Sequence, residues 1–561
     1  MSAIVQAQTE VVQDPKHFEL SPANRRWILW FILFGFAALA FGVFQGFVQG
    51  LNYAGISLFS FLPGMKTYYE GLTAHGVLNA FIFTFAEANG WLSLTTARAL
   101  GRNLNSRLLA LSFVLLVLGT VFAGIPIFLG KASVLYTFYP PLRAHWAFYF
   151  GIALAVVSTW IISAAQLWAL AEWRKEHKGE RIPLMAYVSI MTYIMWDISS
   201  LGAASEDLFL LLPWSLNLLP GSDPLLSRVL FWYTGHQIVY YWLLPAYVSW
   251  YIFIPRMVGG KLFSDSLARI AFIMFVVLVP VGFHHQYTDP GIGNYFKIAV
   301  LILTFGIAFP SLLTAFSIMY ALEIGGRANG GKGILGWFLK LPWSNPAVSA
   351  QVLAMIAFLP GGITGIMNAS YNMNLLVHNT TFVPGHFHLT IGSAVTLSYF
   401  GIAYWLIPYL TGRKLALERV AKWQPWVYFL GILIFARGEI SGGILGMPRR
   451  TALAVINYEP LPGWKLAGAL TGIGGTIMFI GCVLFFLVIF FTLIQGKKME
   501  STGNLPFTET YLGAAPSGWQ LILDKLSYWV LLSFILIALV YGPFLLTHLP
   551  PKLNSPPFQG F

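Results

Sequence analysis

Six histidines lie in or beside long apolar stretches of this chain: His75, His236, the adjacent pair His284 and His285, and His386 with His388. An imidazole buried in lipid is costly unless something binds it, and neutral imidazole is the commonest metal ligand. The pattern implies a metal centre inside a membrane. Its ligands must be nitrogen, oxygen or a cofactor, because the single cysteine, Cys482, makes neither an intrachain disulfide nor a thiolate cluster.

Helix geometry suggests how the histidines divide. At 100° per residue, His386 and His388 point about 200° apart, so one helix offers a ligand to a group on each of two faces. His75 is a natural second axial ligand for one of them. Bis-imidazole iron is six-coordinate, suited to electron transfer and closed to substrate, whereas an iron with one histidine keeps an open position. His236 with His284 and His285 makes a three-imidazole site for which copper is a good candidate. Pro280 is placed to distort the helix end so that two consecutive histidines face one ion.

Tyr240 follows His236 at i+4, in contact range on one helix face, where a phenol can supply a proton and an electron. Tyr247 and Tyr251 continue the stripe at i+7 and i+11 from Tyr240, and Ser311 and Thr314 share a face of another segment. Hydroxyl stripes of this kind conduct protons through bound water; aromatic packing against a neighbouring helix is an equal alternative.

The elements that must carry these residues follow from composition. With 57% hydrophobic and 10% charged residues, mean hydropathy +0.70, and no long polar stretch in 561 residues, the chain reads as an all-α integral membrane protein forming a single domain over 1–561. About thirteen transmembrane helices are predicted, near 27–47, 72–96, 107–129, 146–172, 184–212, 228–254, 267–285, 296–322, 348–369, 385–409, 425–446, 466–495 and 525–547. The first is too long for a cleaved signal and should remain as a helix. The N-terminal segment 1–24 is placed in the cytoplasm and the tail 548–561 outside, because about 23 of the 33 basic residues then face inward. That asymmetry also accounts for the +12 net charge without any nucleic acid partner. On this topology all six histidines fall in the outer half of the membrane.

The motifs TGHQIVYYWLLPAY, VGFHHQ, LTAHGVLNA and VPGHFHL, with YTFYPPLRAHWAFY and GMPRR, resemble subunit I of the haem-copper terminal oxidases, and within them the B-type branch of cytochrome oxidases. The similarity spans nearly the whole chain. It implies that His75 and His388 bind a low-spin haem, that His386 binds a high-spin haem, and that His236, His284 and His285 bind a copper of the CuB type. It further implies a covalent His236–Tyr240 bond, haem propionates held by Arg449 and Arg450, Tyr136 near the haem pocket, and a proton path through Tyr240, Tyr247, Tyr251, Ser311 and Thr314. The activity implied is reduction of dioxygen to water with electrons from cytochrome c, coupled to proton uptake and pumping. A subunit II with a dinuclear copper site is the implied partner, with further small subunits possible, because this chain lacks the paired cysteines such a site needs.

The chain departs from the family at Gln237, where proline is usual, and at Asn374, where an acidic residue is usual near a propionate. RGEISGGILGMPRR lacks a histidine often found before the Arg pair. Asn374 bears most on function, since proton loading above the haem and pumping stoichiometry depend on that position. The alternatives are a nitric oxide reductase, against which Tyr240 argues, a quinol-fed oxidase, and a membrane cytochrome or transporter without oxygen chemistry.

Overall fold

The computed structural model describes residues 18–62, 64–282, 288, 290–455, 460–500 and 518–553. His284 and His285, most of the segment 1–24 and most of the tail 548–561 therefore lie outside the described residues.

Helices occur in all thirteen predicted regions. They are α1 (Pro22–Tyr53), α2 (68–99), α3 (Ser106–Phe128), α4 (Trp146–Glu176), α5 (Leu184–Ser215), α6 (Pro224–Val258), α7 (265–281), α8 (Asn294–Ala328), α9 (Pro346–Ala369), α10 (Phe382–Thr411), α11 (Glu418–Ile444), α12 (Trp464–Gln495) and α13 (Leu526–His548). Among the described residues, eleven helices are long and apolar enough to cross a membrane. The two outside that set are α2, which carries Asn79, Glu87 and Asn89, and α7, whose regular part is only 14 residues.

Several ends follow from local sequence. Thr67 and Glu70 form a capping box at the start of α2, with the Thr67 hydroxyl accepting from Glu70 N at 3.2 Å. Asp223 caps α6 by accepting from the N–H groups of Leu225 and Leu226, ahead of Pro224 at the first helical position. α7 stops short of its predicted end at 285: regular helix ends at Leu278, and Pro280 sits in a 3-10 turn, Val279–Val281, as a proline near a helix end favours. α8 is interrupted at Ile307, three residues before Pro310, whose missing N–H leaves the carbonyl of Gly306 without its helical donor.

Burial separates the interior helices from the lipid-facing ones. The most apolar window is 89% buried in α5 and α6 but 22% in α13, so the former pair lies inside and the latter at the edge. Close backbone contact is made by small residues: a Cβ at Gly438 would fall 2.6 Å from the Ala467 carbonyl, and at Gly119 2.6 Å from that of Gly151. Among the described residues, three helices contain a π turn, at Val77–Phe83, Asp207–Leu211 and Thr390–Val395. Two of these begin two residues after His75 and His388, in keeping with the frequency of such turns at functional sites.

Candidate functional site

The structure brings His75 of α2 and His388 of α10 together. Their ring centroids are 6.2 Å apart and their planes lie within 9° of parallel. Each ring is fixed through one nitrogen: His75 Nδ1 donates to Gly42 O at 2.8 Å, and His388 Nδ1 donates to Pro384 O at 2.7 Å. A proton on Nδ1 leaves the lone pair on Nε2, the arrangement that backbone carbonyls impose on ligating histidines. With metal–nitrogen bonds of about 2 Å on either side, the gap accommodates one metal atom between the two rings.

His386 is held in the same way, its Nδ1 donating to Gly361 O at 3.0 Å with Thr364 Oγ1 at 3.1 Å. It therefore belongs to a different face of α10 from His388, as the two-residue spacing requires. His236 lies within electrostatic range of His386. Tyr240 packs on His236, with ring centroids 5.3 Å apart and planes at 74°. The chain passes beside His236 as it leaves α7: a Cβ at Gly282 would fall 3.0 Å from His236 Nε2. Among the described residues no three His, Cys, Asp or Glu side chains form a metal cluster, since two of the predicted ligands, His284 and His285, lie beyond that point.

Glycines make room for each of these rings. A Cβ would fall 2.5 Å from His75 Cε1 at Gly46, 3.1 Å from His386 Cε1 at Gly365, and 3.1 Å from His388 Cδ2 at Gly392. Sequence reasoning singled out none of the three: Gly46 and Gly365 come from α1 and α9, remote from the histidine motifs, while Gly392 was visible at i+4 from His388. Asn79, which lies beside His75 Nδ1 at 3.1 Å, was visible as an i+4 neighbour.

Arg449, Arg450 and Tyr136 line the same cavity as His75 and His388, together with Glu439. The arginines reach it because the loop that carries them is pinned to the start of α10: Arg449 N donates to Asn379 O, Thr381 N to Met447 O, and Arg449 Nη2 to Asn379 Oδ1 at 2.9 Å. Arg450 has a left-handed backbone, φ 59°, and its guanidinium lies over the Tyr136 ring, 5.5 Å from the centroid. Arg449 Nε and Arg450 Nη2 are buried and bond to no group among the described residues. Burial and the adjacent Arg450 draw the Arg449 guanidinium down to about 10. Two half-buried cations side by side call for an anion, and a carboxylate suits the planar guanidinium fork.

The hydroxyl stripe acquires its partners across α6 and α8. Tyr247 lies beside Ser311, and the Tyr251 hydroxyl donates to Thr314 Oγ1 at 3.0 Å, with Ser317 next in line. Tyr247 lies between Tyr240 and Tyr251 and is packed by Phe275 and Phe358.

Two of the departures from the family, Gln237 and Asn374, have structural partners. Gln237 Nε2 donates to Pro280 O at 3.2 Å and Gly282 O at 2.9 Å, tying α6 to the end of α7. Asn374 Nδ2 donates to Asn368 O at 2.8 Å, and Asn368 Nδ2 in turn to the carbonyl of Thr364, whose hydroxyl meets His386.

Residues 26–477 match the family model described as cytochrome C and quinol oxidase polypeptide I. The chain belongs to that family. Subunit 1 of a cytochrome c oxidase from Thermus thermophilus is 41% identical over 540 residues, covering 94% of this chain and 96% of the relative. A probable quinol oxidase subunit 1 from Staphylococcus haemolyticus is 29% identical over 294 residues, 51% of this chain and 40% of that relative. A heme-copper terminal oxidase dimer solved by cryo-EM superimposes with a TM-score of 0.91 at 35% identity, covering 97% of this chain and 96% of that one. This oxidase polypeptide is thus a haem-copper subunit I of the B-type branch, the catalytic subunit of a terminal oxidase and a multi-pass membrane protein. Haem and copper are the cofactors its family implies. The residues present fit a haem: parallel imidazoles with anchored Nδ1 atoms, glycines behind the rings, and buried guanidinium nitrogens awaiting an anion.

Proposed function

We propose that this subunit reduces dioxygen to water with electrons from cytochrome c in the cell membrane, delivered through a partner subunit II that carries a dinuclear copper site. His75 and His388 would hold the low-spin haem, His386 the high-spin haem, and His236 with His284 and His285 the CuB-type copper. When bound, haem iron and copper supply the oxygen-binding site and its electrons.

The protein's own residues do the rest. Arg449 and Arg450 anchor propionates. Tyr240, beside His236, donates a proton and an electron and is bonded covalently to it. Tyr251, Thr314, Tyr247 and Ser311 bring protons to Tyr240 from the cytoplasm, and pumping accompanies this uptake. The single domain has thirteen spans, α2 and α7 included, with the N-terminus inside and the C-terminus outside; the inward excess of Lys and Arg supports that orientation.

The observation that carries the reading is the His75–His388 pair, whose 6.2 Å spacing and anchored Nδ1 atoms suit a bis-imidazole group. Tyr240 packed on His236 favours an oxidase over a nitric oxide reductase. Metal and pyridine haemochrome counts on the purified complex should give two haems and one copper per subunit, and carbon monoxide should shift only one haem. Iron without copper, or no carbon monoxide response, would reject this function.

A further inference from the structure

α2 also carries a carboxyl that none of these steps uses. Glu87 is 1% exposed and lies one helical turn beyond Phe83, a residue lining the His75–His388 cavity. It faces α1 and α10. A Cβ at Gly35 would fall 2.7 Å from Glu87 Oε1, and Tyr399 of α10 is within electrostatic range. The rings of Phe83 and Tyr399 meet edge to face with centroids 5.6 Å apart, so Tyr399 touches the cavity-lining Phe83 one turn from this carboxyl.

Polar groups continue from there around α2. Tyr399 is close to Tyr241 of α6, Tyr241 lies beside Tyr193 of α5, and the Tyr193 hydroxyl donates to Asn89 Oδ1 at 2.7 Å. Asp197 stands near Tyr193 and Tyr241 and bonds to Ser163. Asn89 is about 200° around α2 from Glu87, so the three phenols form an arc joining opposite faces of one helix. Asn89, Ser93 and Thr96 then share a face toward the end proposed to be cytoplasmic, where the Thr96 hydroxyl donates to Gln166 Oε1 at 2.9 Å.

Glu87 Oε1, the Tyr399 hydroxyl and Ser93 Oγ are buried and have no hydrogen-bond partner among the described residues. Leaving such groups unsatisfied is expensive, and polar interior gaps are where ordered water bridges them. No cation faces Glu87 among the described residues: α1 presents the Gly35 backbone, α10 presents Tyr399, and the titratable groups beyond are Tyr241, Tyr193 and Asp197. Without a cation, a buried carboxyl keeps its proton unless neighbouring charge changes.

We propose that Glu87 is a proton-binding site, linked by water to Tyr399 and through Tyr241 and Tyr193 to Asn89, and that its proton occupancy follows the redox state of the adjacent low-spin haem. One proton from cytoplasmic water forms an O–H bond on the carboxylate, and its return breaks that bond; no electron moves at Glu87. The proposal rests on the oxidase reading only in requiring a haem in the cavity above Phe83. Haem absorbance of the parent enzyme tests that requirement separately.

The test is a reduced-minus-oxidised infrared difference spectrum of the purified holoenzyme in an electrochemical cell. A carboxylic acid C=O band is expected in the parent, absent in Glu87→Gln and displaced in Tyr399→Phe. The low-spin haem potential of Glu87→Gln should also lose part of its pH dependence. Difference spectra and potentials identical to the parent in both variants would overturn the proposal. Should Glu87→Gln assemble without haem, Tyr399→Phe decides: an undisplaced band rejects the site.

Discussion

The hydroxyl of Tyr251 donates to Thr314 Oγ1 across 3.0 Å, and this bond joins the phenol stripe of α6 to the hydroxyl face of α8. Tyr251→Phe or Thr314→Val removes the link without a change in packing volume. A hydrogen bond worth about 1–1.5 kcal/mol corresponds to roughly a tenfold rate effect. Turnover and proton uptake in reconstituted vesicles should fall by about that factor, with the haem spectra unchanged. Unaltered uptake in both variants would remove this path from the mechanism.

Tyr240→Phe tests the residue nearest His236. The ring contact at 5.3 Å survives in the variant, so both haems and the copper should remain bound. Dioxygen consumption should fall to background, because the lost group is the phenol O–H. Consumption near the parent value would show that Tyr240 is only a packing residue.

The two histidines of α10 should separate spectroscopically. Loss of the His388 ring in His388→Ala removes the partner of His75 and with it the low-spin absorption bands. In His386→Ala those bands persist while the carbon monoxide difference spectrum disappears. Gly46→Val should mimic His388→Ala, because its first added carbon falls 2.5 Å from His75 Cε1. Loss of both haem signals together in each variant would argue against separate sites.

Gln237→Leu leaves the carbonyls of Pro280 and Gly282 without their donor. Leaving buried carbonyls unpaired costs about 1–3 kcal/mol, and the loss falls on the stretch leading to His284 and His285. The variant should retain both haems and bind less copper, measured as metal per haem. Full copper occupancy would show that this tether does not govern the site.

Much of the site was legible in the linear chain because membrane helices impose strong rules. Apolar runs mark the spans, and basic residues suggest their direction. The i+4 spacing of His236 and Tyr240, and the two-residue spacing of His386 and His388, fix which side chains share a face before any packing is known. The π turns after His75 and His388, the break of α8 before Pro310, and the early end of α7 were missed or displaced. Hydropathy counts residues without registering how backbone hydrogen bonds shift by one position.

The sequence by itself therefore determined the helices, the residue types proposed for the metal centre and the two faces from which His386 and His388 leave α10. Only tertiary structure decided which side chains meet: His75 with His388, Tyr251 with Thr314, and Arg450 with Tyr136. The physical reason is that these partners lie 63 to 314 residues apart, on separate helices or on the loops between them. Their approach depends on close contacts such as Gly46 against His75, and helical periodicity describes one helix at a time.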